Sequence, residues 1–241
     1  MNPRARAVLR KELLEYRRNK LIVFTMAALP VIFLIMTTVS IVTLPDEVPE
    51  ALLDTVLGPA LLFLFIVPVV IPTTVAGYSV IGEREQGTLE PVLTTPATDA
   101  DLLHGKVLAA TIPSILLAWL LYVAFVLVLA GFGPSGVVGR LVNPAQLTAQ
   151  GVLVPALAVY AIIVGMLISA RSSDIRVAQQ LSGLAVLPVI AGIMVANFSA
   201  TRTSVGLFLL VAGVIGILDV LGWRLMARMF SRERLLTRFG R

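Results

Sequence analysis

From Leu21 to Leu44 the chain carries no charged side chain. About 20 apolar residues in a helix cross the roughly 30 Å hydrocarbon layer of a bilayer. Inside that layer each backbone N–H and C=O must find its partner within the protein, so only helices and closed barrels can span it. Five further segments meet the same length and polarity: Thr55–Ile81, Val107–Phe132, Gly151–Ala170, Val177–Phe198 and Val205–Gly222. Gln179, Gln180 and Pro188 interrupt the fifth, and Asp219 is the one charge in the sixth. The apolar runs are continuous and lack the alternation of barrel strands. The expected fold is therefore all-α, a polytopic membrane protein of six transmembrane helices.

Composition agrees. Of the 241 residues 58% are hydrophobic and 14% charged, against about 25% charged in ordinary soluble domains. The net charge of +5 does not point to nucleic acid, because the basic residues sit at the membrane flanks and no basic stretch is interleaved with aromatics. Seven of the 19 lie in residues 1–20 and six in residues 224–241. The chain divides into a cytoplasmic arm (1–20), a transmembrane domain (21–222) containing a loop at 82–106, and a basic tail (223–241). The basic start runs directly into the first span, which is expected to be retained rather than cleaved as a signal peptide. With no cysteine and one histidine, His104, thiolate and histidine-based metal sites are excluded, and no cofactor is implied.

Lys and Arg in short loops mark the cytoplasmic side. Arg171 and Arg176 follow the fourth span, whereas the opposite loops hold only Arg140 and Arg202. Both termini are expected in the cytoplasm. The arm is amphipathic: at helical spacing Ala5, Leu9, Leu13 and Tyr16 share one face and Arg4, Lys11 and Arg18 the other. That pattern suits a helix lying in the headgroup layer, or a solvated flank that only sets topology. Pro30, Pro59, Pro68, Pro72, Pro113, Pro155 and Pro188 fall within the spans, where they remove backbone hydrogen bonds and favour kinks.

One cytoplasmic loop breaks the charge rule, since Gly82–Lys106 has five acidic and two basic residues. Its sequence predicts a short helix. Gly87 offers a stop, Thr88 a cap, Glu90 a carboxylate in the first turn and Pro91 an early proline. Leu89, Val92 and Leu93 then form one apolar stripe. Thr95-Pro96 ends that helix, and Thr98-x-x-Asp101 is a capping-box start for the next. The stripe serves either a partner or the chain's own bundle.

The run Glu83-Arg84-Glu85-Gln86-Gly87-Thr88-Leu89-Glu90, continuing through Val92, Leu93 and Pro96 to Leu103-His104-Gly105-Lys106, resembles the signature loop of the ABC-2 permease family. Lys11-Glu12-Leu13, with Glu15 and Arg17, is similar to that family too. The resemblance implies that Glu83–Pro96 is a coupling helix docking into a separate ATPase subunit, with Glu83, Arg84, Glu85, Gly87, Thr88, Leu89, Glu90, Val92 and Leu93 as the coupling residues. His104 replaces a more usual apolar residue and is read as a surface variant. The chain has no G-x-x-x-x-G-K-[ST] phosphate loop, so hydrolysis is expected from the partner. The implied assembly has two ATPase copies and a second or homologous permease in the cytoplasmic membrane of a prokaryote. It exports a substrate by alternating access; a non-transporting scaffold that anchors an ATPase is the alternative.

Two further features need weighing. Gly133-Pro134-Ser135-Gly136 matches the G-x-S-G of intramembrane serine proteases, but the only histidine is expected across the bilayer, so it is read as a turn. Asp219 is a possible intramembrane functional charge. Its place near Trp223 and Arg224 favours a structural role, reaching the interface or pairing with Arg224, over proton or ion coupling.

Overall fold

The computed structural model describes residues 2–18, 20–45, 48–77, 98–172, 174–199 and 204–229. Helix α1 is Pro3–Arg18, opened by a proline whose missing N–H is not needed in a first turn. Then come α2 (Lys20–Val42), α3 (Glu50–Gly77) and α4 (Asp99–Phe132). Two short helices, α5 (Val137–Leu141) and α6 (Pro144–Thr148), lead through a π-helical turn at Ala149–Leu153 into α7 (Val154–Ser169). The chain continues with α8 (Ile175–Ser199) and α9 (Val205–Met229). Among the described residues every regular element is helical.

Five of these helical stretches are long and apolar enough to cross a bilayer: Glu50–Ala76, Asp99–Phe132, Pro144–Ser169, Ile175–Met194 and Val205–Met229. The first predicted span falls on α2, whose Pro30–Val42 portion is apolar but shorter than a span by itself. One helix starts where the sequence reading put it, and another runs on past its predicted span. The Thr98–Asp101 capping box forms and starts α4 eight residues before its apolar run, at Asp99. Helix α9 does not stop at Gly222 but runs to Met229, because nothing in residues 223–229 breaks a helix.

Helix α3 is the spine, packed against α4, α7 and α8. Its side chains Leu57, Leu64 and Phe65 meet Phe125 of α4 and Leu157 of α7 in one buried core. A second core at the α1 end holds Ile71, Val75, Leu103, Val107, Met166 and Met226, edged by Tyr16 and Trp223. Apolar tails of lipid are as oily as Leu, so helices in a bilayer associate through close packing at small residues. Here a Cβ on Gly165 would stand 2.4 Å from the Ala76 Cβ, and one on Gly222 would stand 2.7 Å from Ile163 Cγ2. Helix α3 carries Pro59, Pro68 and Pro72. The Thr73 hydroxyl donates to the carbonyls of Val69 and Val70, both at 2.9 Å, a back-bond that bends membrane helices.

At the opposite end, Arg140 pairs with Glu50 and Asp54, and the Tyr122 hydroxyl donates to the Leu141 carbonyl at 2.7 Å. Gly136 has φ 82°, the left-handed value that a residue without Cβ adopts freely, so Gly133–Gly136 is a turn. Ser135 lies past the C-terminal end of α4 and His104 near its start. Most of a helix about 50 Å long separates them, and no serine–histidine pair forms.

A candidate coupling site at the junction of α1 and α4

The first two turns of α4 emerge from the loop that the sequence singles out. Thr98 caps the helix: its hydroxyl accepts from the Asp101 N–H at 3.2 Å, while the Asp101 carboxylate accepts from the Thr98 N–H at 3.1 Å. Asp101 stands before the apolar run of α4 begins at Val107. The side-chain and backbone bonds from Thr98 hold its carboxyl below the usual carboxylate range, with Asn2 and Arg4 adding to the effect. Asn2 Nδ2 donates to Asp101 Oδ1 at 3.2 Å, tying the start of the chain to the start of α4.

One turn on, the Val8 side chain of α1 packs against the bare backbone of Gly105 in α4. A Cβ on Gly105 would lie 2.5 Å from Val8 Cγ1 and 3.2 Å from the Ala5 carbonyl oxygen. Only glycine permits that approach. Ala5 is buried in the contact, and so is Glu12. Glu12 Oε1 accepts from Lys106 Nζ at 3.3 Å, both side chains being about nine-tenths enclosed, and Lys11 Nζ reaches the same oxygen at 3.4 Å. Lys11 also bonds Glu15 at 3.2 Å on the exposed side. Leu103 points the other way, into the core with Met166 and Met226. His104 is exposed, and its ring lies tilted at 56° against that of Trp223 of α9, with centroids 4.5 Å apart.

The amphipathic arm thus lies on protein along one face. Its packed stripe is Ala5, Val8 and Glu12, with Tyr16 on the adjoining core, a stripe that includes a carboxylate the hydrophobic pattern had passed over. The two motif fragments, Lys11-Glu12-Leu13 and Leu103-His104-Gly105-Lys106, are the two halves of one junction. Breaking one partner of a buried ion pair costs about 3–5 kcal/mol, although the intact pair contributes little against an apolar substitute. The pair therefore specifies how α1 seats on α4 more than it stabilises the bundle.

The model of the ABC-2 type transporter family matches residues 4–199. That interval covers both halves of the junction and more than half of the chain. The chain belongs to the ABC-2 type transporter family. It is a permease component of an ABC transporter, a multi-pass membrane protein and not itself an enzyme. Members of the ABC-2 family pair with an ATPase subunit. Neither a curated protein nor a solved structure matches the chain.

In this ABC-2 chain the proposed coupling residues Glu83, Arg84, Glu85, Gly87, Thr88, Leu89, Glu90, Val92 and Leu93 lie outside the described residues. Their exit anchor, Thr98–Lys106, is the junction described above. Asp219 lies on α9. Helix α9 continues about three turns beyond it, to Met229. Its Oδ1 is buried without a hydrogen-bond partner, and no ion pair to Arg224 forms among the described residues.

Proposed function

We propose that the protein is the membrane subunit of an ABC exporter, working as two permease copies, or one copy and a homologue, with two ATPase subunits. In this reading both termini and residues 82–106 face the cytoplasm of a prokaryotic cell. The segment Glu83–Pro96 docks into the ATPase, with Leu89, Val92 and Leu93 as its apolar contact. Closure of the ATPase dimer on ATP then pushes this segment, and the bundle rocks between inward-open and outward-open states.

The observation that carries the reading is the match of the ABC-2 family across residues 4–199. The junction supports it with a mechanical route. In this reading a push on the segment that ends at Thr98 reaches a helix start packed on α1 and so moves α1 and α4 together. Trp223 on His104 extends the same coupling to α9. Proline-bearing helices such as α3 suit a bundle with more than one arrangement.

The test is the purified permease–ATPase complex in liposomes. Substrate-stimulated ATP hydrolysis with vectorial accumulation is the expected result. Steady hydrolysis without stimulation or accumulation, across hydrophobic, amphipathic, saccharide and ionic candidates, would instead assign the chain to a scaffold that anchors its ATPase.

A further inference from the structure

Among the described residues, four buried side-chain polar atoms have no hydrogen-bond partner: Gln146 Oε1, Gln150 Oε1, Gln150 Nε2 and Asp219 Oδ1. Three of the four belong to two glutamines one turn apart at the α5–α6 end of the bundle. Gln146 is 1% exposed and Gln150 5%. Buried amides without partners are costly in water-soluble cores and no less so at membrane depth, where no solvent is at hand. A second feature falls at the same place. Gln150 lies in the π-helical turn Ala149–Leu153, a widened turn found mostly at functional sites. The Gln150 carbonyl, displaced from regular helical pairing, accepts from the Trp119 indole N–H at 2.8 Å.

We propose that Gln146 and Gln150 form a binding site for the uncharged, hydroxyl-bearing head of an amphipathic molecule. Two carbonyl oxygens and one amide NH2 group are left to pair, which suits hydroxyls that donate to the first and accept from the second. Among the described residues the charged groups at this end, Arg140, Glu50 and Asp54, are engaged with one another, so none of these calls for a charged head. Ala149, Leu153 and Phe208 in the adjoining core offer an apolar wall to the tail. Calling the ligand cargo rests on the transport reading; the binding itself does not.

Trp119 is a built-in reporter, because the chain has two tryptophans and Trp223→Phe leaves it alone. The full-length variant in phosphatidylcholine nanodiscs is titrated with monodecanoylglycerol, and separately with methyl decanoate, which has the tail without hydroxyls. The expected result is a saturable shift of Trp119 emission with the monoglyceride. Its half-saturation should rise at least about tenfold for the methyl ester and in Gln150→Leu. Gln146→Leu is the second variant should Gln150→Leu not fold. Each removes unpaired polar atoms from an apolar setting, so stability should hold or rise. No saturable shift, an equal response to both amphipaths, or a response unchanged in the leucine variants would overturn the site and mean that the amides are met by water alone. None of these outcomes bears on ATPase coupling, so failure here and failure of the transport reading are separable.

Discussion

Removing Lys106 from the α1–α4 junction should release α1 without unfolding the bundle. Lys106→Met keeps most of the side-chain volume and deletes the ammonium 3.3 Å from Glu12 Oε1. Stranding a buried carboxylate typically costs about 3–5 kcal/mol. Lys11 remains 3.4 Å from the same oxygen but is 41% exposed, and exposed pairs contribute only about 0–1 kcal/mol. The lower end is therefore expected, about 3 kcal/mol on the docking of α1, or about a 100-fold rise in its undocked population. The chain has no native cysteine, so Ala5→Cys, at a buried position of the contact, reports undocking through its rate of maleimide labelling. Labelling should quicken about 100-fold in Lys106→Met, while a cysteine at Ala161 in the α7 core should keep its rate. The double change Glu12→Leu with Lys106→Leu should return most of the protection, because an apolar pair replaces the ionic one. A change in Ala5→Cys labelling of less than about threefold, or an equal rise at Ala161→Cys, would refute the reasoning.

Gly105→Ala should loosen the same junction, since the new Cβ meets Val8 Cγ1 at 2.5 Å. A cost of about 1–3 kcal/mol is expected, and Gly105→Ala with Val8→Ala should recover part of it in thermal unfolding; no recovery would mean the clash lies elsewhere. Asp219→Asn should leave thermal stability within about 1 kcal/mol or raise it, because the carboxylate Oδ1 has no partner to lose. A large destabilisation would reveal an ion pair in the assembled complex. Cysteines placed at Ala97 and Ser231 should label only from the cytoplasm and one at Asp46 only from outside; labelling of Ala97 from outside would invert the proposed orientation.

Five of the predicted spans were legible because a long apolar run has one use at that length, and the start of α4 was legible in Thr98 and Asp101. The junction was not. Glu12 and Lys106 are 94 residues apart, and each reads locally as a charge beside a membrane, where topology alone explains it. Only the fold shows that they face one another, and that Gly105 is there to let α1 approach. The π-helical turn was hidden for another reason. One extra residue in a turn scarcely changes an apolar pattern, and Gln146 and Gln150 stand just before Gly151, where the predicted span begins. Trp223 and Arg224 look like the end of a helix, whereas the helix that carries Asp219 continues past them.

The central claim, that force from an ATPase enters the permease through residues 83–96, is tested most directly by Leu89→Asp. A carboxylate buried unpaired in a partner's groove costs at least about 1–3 kcal/mol, which lowers affinity about 5- to 150-fold. Two readings are taken on the one variant: thermal stability of the permease alone and its affinity for the ATPase subunit in detergent. Unchanged stability with affinity lowered by that factor is the predicted result. A destabilised permease that still binds its ATPase with undiminished affinity would contradict the claim and return Leu89 to the core of its own bundle.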